Sequence, residues 1–225
     1  RHDALPISLN TPNGVFADSL AAVYVAAFGS STIRRVDTSN IINTIAGISG
    51  VSGSAGENVV ASSSPLNSPV SVWGDTTGRL YYCDENKVRS ISSSGLLTTF
   101  AGLGNIGPTS DGVRATSARL VSPTDVKGDT LGNVYLAVSG NNKVRLVSGG
   151  ISSTIAGGGS ASSTGDSGQA TSATLNTPVG IFIDSSAVLF IAEYNGNKVR
   201  QVDLSNGIIN LLAGNGNNGF TGDGM

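Results

Sequence analysis

The sequence predicts an all-β fold: four copies of one four-stranded antiparallel meander of about 55 residues, stacked radially as the blades of a β-propeller. Three observations carry this. A set of anchor residues recurs in fixed register along the chain. Between the anchors, short β-branched and aromatic runs alternate with Gly, Asn, Asp and Ser. Charged residues make up only 12%, too few for the polar faces of amphipathic helices, while Gly contributes 31 of 225 positions.

The anchors come first. Leu9, Leu66, Leu120 and Leu175 each stand three residues before Pro12, Pro69, Pro123 and Pro178. Ala4, Ala61, Ala115 and Ala170 stand eight residues before the same prolines, and Asp18, Asp75, Asp129 and Asp184 six residues after them. The copies are 54 to 57 residues apart, giving repeats 9–65, 66–119, 120–174 and 175–225 within a single domain, 1–225. Strand a follows each proline, as in Val15-Phe16-Ala17 and Gly180-Ile181-Phe182-Ile183. A tight turn opens on the recurring Asp, as in Asp75-Thr76-Thr77-Gly78 and Asp129-Thr130-Leu131-Gly132, with the residues a type I turn prefers at its first and fourth positions. Strand b is Val23–Ala26, Leu80–Cys83, Val134–Ala137 and Leu189–Ala192. Strand c is Thr32–Val36 and then Lys87-Val88-Arg89, Lys143-Val144-Arg145 and Lys198-Val199-Arg200. Strand d closes on Ala46-Gly47, Ala101-Gly102, Ala156-Gly157 and Ala213-Gly214. A meander with apolar residues on both faces needs cover on both sides, and radial stacking supplies it. A β-sandwich would not repeat at this period.

These copies resemble the NHL-repeat propellers, named for an Asn-His-Leu triplet at the start of strand c. Here the triplets are Asn86-Lys87-Val88, Asn142-Lys143-Val144 and Asn197-Lys198-Val199, each followed by Arg; the first copy departs, with Ser31-Thr32-Ile33. The Pro-x-Gly-Val-like strand a at Pro12–Val15 and Pro178–Ile181 matches as well. The resemblance spans essentially the whole chain and implies fold more than activity. Its members usually have six blades, so the four copies are either a closed four-bladed ring or part of a longer array; the resemblance favours the latter. A partial ring would leave apolar faces bare on its end blades.

Formal net charge is −2, which offers no field for nucleic acid, and no apolar run approaches the roughly 20 residues of a membrane span. Cys83 is the sole cysteine, so neither an intrachain disulfide nor a cysteine zinc site is available. The chain opens on Arg1 and its only Met is Met225, as expected of a processed or partial sequence. An extracellular or cell-surface setting is expected.

Candidate sites are few. The only His is His2, outside the repeat, which removes a Ser-His-Asp arrangement from the blades and the histidine-held zinc that the resemblance to amidating-lyase propellers would imply. Gly102-x-Gly104-x-x-Gly107 and Gly214-x-Gly216-x-x-Gly219 have dinucleotide-binding spacing but no long helix following. The Gly165-Asp166 and Gly222-Asp223 pairs read as turn caps, not calcium ligands. In the Asn-Lys-Val-Arg lines, the Asn is expected to bond turn backbone and the Arg to reach across to the neighbouring blade. No catalytic residue, metal or cofactor is expected.

By strand parity the d–a and b–c loops share one end of the propeller, and the a–b and c–d turns the other. The b–c loops differ most from copy to copy, and Phe28, Asp84, Glu85, Glu193, Tyr194 and Asn195 are the expected binding residues. They suggest a non-catalytic interaction or sensor module, with an acidic, aromatic-tipped face for a protein or glycan partner. The other reading is a cation-dependent, lactonase-like hydrolase, which requires Asp84, Glu193 and a central Asp or Asn to converge. Thr76, Thr130 and Ser185, at the opposite end, are expected to take no part in binding.

Overall fold

The computed structural model describes residues 7–219 together with the backbone of His2 and Asp3. Each copy forms one antiparallel sheet. Blade I consists of β1 (His2–Asp3), β2 (Pro12–Ala17), β3 (Val23–Ala27), β4 (Thr32–Val36) and β5 (Ile41–Ala46). Blade II has β6 (Val59–Val60), β7 (Val72–Gly74), β8 (Leu80–Asp84), β9 (Lys87–Ile91) and β10 (Leu96–Ala101). Blade III has β11 (Val113–Arg114), β12 (Pro123–Gly128), β13 (Val134–Val138), β14 (Lys143–Ser148) and β15 (Ile151–Ala156). Blade IV has β16 (Gly168–Gln169), β17 (Pro178–Ile183), β18 (Val188–Glu193), β19 (Lys198–Asp203) and β20 (Ile208–Ala213). The four long strands of each blade follow the predicted meander. The first, two-residue strand of each set pairs with the outermost long one, so every sheet has five strands. That fifth strand is added to the four expected; two residues are too few to show a period.

The anchors find their physical reasons here. Leu66, Leu120 and Leu175 are fully buried between blades, each worth about 1.5–3 kcal/mol of burial. The recurring Asp shapes its turn: Asp75 Oδ1 accepts the Thr77 and Arg79 amides and Asp129 Oδ1 those of Leu131 and Asn133. The Gly after each strand d has positive φ, and a Cβ on Gly157 would run into the Asn142 carbonyl. Strands β8 and β13 are buried at every position, because blades cover both of their faces. Tyr82 packs with Ile33 and Leu66 toward blade I, and Tyr81 with Leu120 and Leu136 toward blade III.

Blades are also stitched by polar groups. The Ser122 amide donates to Asn86 Oδ1 (3.1 Å) and the Thr177 amide to Asn142 Oδ1 (2.9 Å). The expected roles are thereby exchanged, since the Asn and not the Arg reaches the next blade. Nearer the axis, Asp125 accepts from Ser71 Oγ (2.6 Å), the Ile181 amide (2.9 Å) and Lys127 Nζ (2.8 Å), linking blades II, III and IV.

The stack is open at both ends. Val15 is 67% exposed, whereas its equivalents Val72, Val126 and Ile181 are 1%, 0% and 5%. At the other end Ala213 is exposed where Ala46, Ala101 and Ala156 are fully buried. These are the bare end faces expected of blades that do not close on one another.

Candidate functional site

The loop end is organised by Arg side chains. Arg89, Arg145 and Arg200 are completely buried in strand c. Each holds the segment that arrives from the preceding blade. Arg89 donates to the Ala55 and Gly56 carbonyls (3.0 and 2.7 Å), with Glu57 3.6 Å away. Arg145 pairs with Asp111 and donates to the Ser110 carbonyl (2.7 Å). Arg200 pairs with Asp166 at 2.6 Å, so Asp166 is an ion-pair partner and not a turn cap. Its counterpart Asp223, with Gly222, lies outside the described residues. The basic lines therefore act inside the fold, and none of these three guanidinium groups faces solvent. The glycine-rich segment after Gly102 leads to the two-residue β11 and a single 3-10 turn at Ala115–Ser117, not to a long helix, which removes the dinucleotide reading.

Two of the six expected binding residues belong to the same interior framework. Asp84 is 5% exposed and its Oδ1 accepts the Asn67 amide at 2.9 Å. Glu193 is 3% exposed; it accepts the Asn176 amide at 2.9 Å and Arg200 Nη1 at 3.2 Å. In blade III, Asn141 Oδ1 performs the same service for the Val121 amide at 3.0 Å. Asn67, Val121 and Asn176 each follow the repeat Leu. Three different side chains thus satisfy one backbone donor. Asp84 and Glu193 share a repeat position that Ala27 and Val138 fill in the other blades, and Asn141 stands three residues further along. Both carboxylates are buried and spent on this backbone donor, so they form no exposed acidic surface, contrary to expectation.

The other four are at the surface. Phe28 is 38% and Tyr194 71% exposed. Glu85 and Asn195 are exposed, each steadied by one contact: Asn67 Nδ2 donates to Glu85 (2.8 Å) and Asn195 Nδ2 to Thr177 Oγ1 (2.8 Å). They occupy b–c corners bound to the d–a segments, as where the Phe28 amide donates to the Thr11 carbonyl and the Tyr194 amide to that of Thr177. The predicted sharing of one end is therefore seen directly. A polar cleft of about 240 Å³ opens there in blade II, lined by Asn67, Asp84, Glu85, Lys87 and Asn105. Burial pushes the Asp84 carboxyl up to about 6, against hydrogen bonding from Asn67 and the charge of Arg89.

Asp84 and Glu193 are in different blades, and Glu193 is committed to Arg200. Among the described residues no three His, Cys, Asp or Glu side chains come together as a metal would require. Cys83 is fully buried, and burial raises its thiol well above the usual range, which makes it inert.

No family model matches the chain. It is similar to mouse (Mus musculus) teneurin-1, at 28% identity over 174 residues, and to human (Homo sapiens) teneurin-4, at 29% over 175 residues. Each match covers 71% of this chain but only 6% of the relative's length. Among solved structures, a protein of unknown function from Bacteroides thetaiotaomicron superposes with a TM-score of 0.68 at 23% identity, over 84% of this chain and 46% of its own. A streptogramin B lyase does so with a TM-score of 0.61 at 13% identity, over 92% and 56%. At these identities the structural likenesses establish one thing, the β-propeller fold.

Proposed function

We propose that the chain is a non-catalytic recognition module of NHL type, which engages a protein or glycan partner through the b–c corners at its loop end. One observation carries this reading: Asp84 and Glu193, the carboxylates a hydrolase would need, are taken up by the framework, whereas Phe28, Glu85, Tyr194 and Asn195 are left on the surface. Exposed aromatic side chains beside hydrogen-bonding groups are what recognition surfaces use. The likeness to teneurins supports an NHL-type assignment, and the reading includes an extracellular or cell-surface setting. The hydrolase alternative lacks a converged carboxylate set among the described residues.

The test is a binding screen of the purified chain against an array of glycans and a panel of receptor ectodomains. Any hit is repeated with a Phe28→Ala, Glu85→Ala, Tyr194→Ala, Asn195→Ala variant. The variant should keep its melting temperature and lose the hit by at least tenfold. A control altered at Ser39 and Ser93, exposed c–d turn residues, should bind as the parent does. Retention of the hit by the loop variant would place recognition elsewhere.

A further inference from the structure

A cleft of about 880 Å³ lies at the opposite end, among the a–b turns of blades II, III and IV. Its origin can be traced to one position of strand a. At that position blade I has Phe16, and a Cβ on Gly74 of blade II would strike the Phe16 ring. Blade II has Trp73, and a Cβ on Gly128 of blade III would run into its indole. In both junctions an aromatic ring fills the step to the next blade. Blade III has Lys127 instead, and its ammonium turns away toward Asp125 at 2.8 Å. No ring is left to cover Ile183 of blade IV, and the space stays open. The walls are apolar: Trp73, Tyr81, Tyr135, Leu131, Ile183 and Leu204.

Charge is distributed one-sidedly. Asp75, Asp129 and Asp184 line the cleft, and among the described residues no Lys, Arg or His does. Asp75 and Asp129 are held below the usual carboxylate range by hydrogen bonds that outweigh their partial burial, among them those from Tyr81 and Tyr135, so both are anionic at neutral pH. An apolar hollow of this size is within the range of small-molecule sites. Aromatic faces beside carboxylates favour a cation that carries an apolar body.

We propose that this cleft is a second binding site, for small organic cations with an aromatic or aliphatic body. It is independent of the loop-end surface, and it draws in Thr76, Thr130 and Ser185, which line it, against the expectation that these turn residues are bystanders.

Trp73 is the only tryptophan of the chain and forms part of the cleft wall, so its fluorescence reports occupancy. The parent is titrated with benzyltrimethylammonium chloride and, in parallel, with the near-isosteric anion phenylmethanesulfonate. The cation should give a saturable change that weakens in 1 M salt, and the anion should bind at least tenfold more weakly. Leu131 is 85% exposed, so Leu131→Lys should fold as the parent does while weakening the cation about tenfold. Ser185→Lys, on another wall, provides a second variant should the first fold poorly. The four-residue loop-end variant should titrate like the parent. Equal response to cation and anion, no saturable response at all, or full affinity in both lysine variants would overturn the proposal.

Discussion

Arg145→Ala removes the most heavily bonded side chain of blade III. Its guanidinium pairs with Asp111 and donates to Thr154 Oγ1 (2.6 Å), the Ser110 carbonyl (2.7 Å) and Ser152 Oγ (3.0 and 3.2 Å). The consequences for those partners differ. The Asp111 side chain is 57% exposed, so it rehydrates once freed, and that ion pair is worth no more than about 1 kcal/mol. Ser152 is fully buried, and losing its guanidinium partner costs about 1–3 kcal/mol. The vacated stem adds roughly 1–2 kcal/mol in lost apolar burial. Since these effects overlap, the expected destabilisation is about 2–4 kcal/mol, a fall in Tm of roughly 5–15 °C for a chain of this size. Equilibrium urea unfolding followed by far-UV circular dichroism measures it directly. Arg145→Met separates the contributions, since it refills the stem and buries no unpaired charge; it should recover about a third to a half of the loss. An unchanged midpoint for Arg145→Ala would refute the framework role. Equal losses for Ala and Met would refute the part assigned to packing.

Three further outcomes are expected of other framework residues. Asn142 has a φ of +51° and accepts the Thr177 amide; Asn142→Gly keeps the backbone and loses the bond, so it should cost about 1 kcal/mol, and Asn142→Ala roughly 1 kcal/mol more from strain. Identical melting of the two variants would show that the left-handed backbone is not what the side chain protects. The Asp84 carboxyl rises from 3.8 unfolded to about 6 folded, so between those pH values the folded state holds the extra proton and stability falls as pH rises. Asp84→Asn abolishes that slope, and the variant should gain about 1–3 kcal/mol over the parent at pH 7.5 and nothing at pH 4. A constant difference across the range would mean that Asp84 does not titrate in this way. Gly128→Ala should push the Trp73 indole toward solvent and red-shift its emission; an unshifted spectrum would show that the ring does not rest on Gly128.

Blade register was legible because its anchors do nearly the same work in each copy in which the structure describes them; Leu9, exposed at the open end of the stack where Leu66, Leu120 and Leu175 are buried, is the exception. A buried Leu, a turn-forming Asp and a positive-φ Gly leave little room for substitution. The binding residues were legible only in part. Asp84 and Glu193 share a repeat position and Asn141 stands three residues beyond it, yet all three satisfy equivalent backbone amides. A comparison of copies cannot separate a side chain moved within the loop for one task from one released for recognition. Burial makes that separation, and it leaves Phe28, Glu85, Tyr194 and Asn195 outside. The cleft at the far end was written in the succession Phe16, Trp73, Lys127, Phe182 at one strand a position. Its meaning depends on where the Lys127 ammonium goes, and Asp125, two residues earlier, decides that.

The outer two-residue strands have a consequence for synthesis. Val59–Val60, Val113–Arg114 and Gly168–Gln169 each complete the blade that follows them in the chain, and Glu57, Asp111 and Asp166, which face the buried Arg of that blade, also precede it. On a ribosome, the edge strand and the counter-charge are therefore already outside the exit tunnel when strand d emerges. Each of these sheets can close against residues already made, with the previous blade as its template, and none has to wait for sequence still to be translated. Folding can proceed from the N-terminus at the pace of elongation, with one bare blade face exposed at a time.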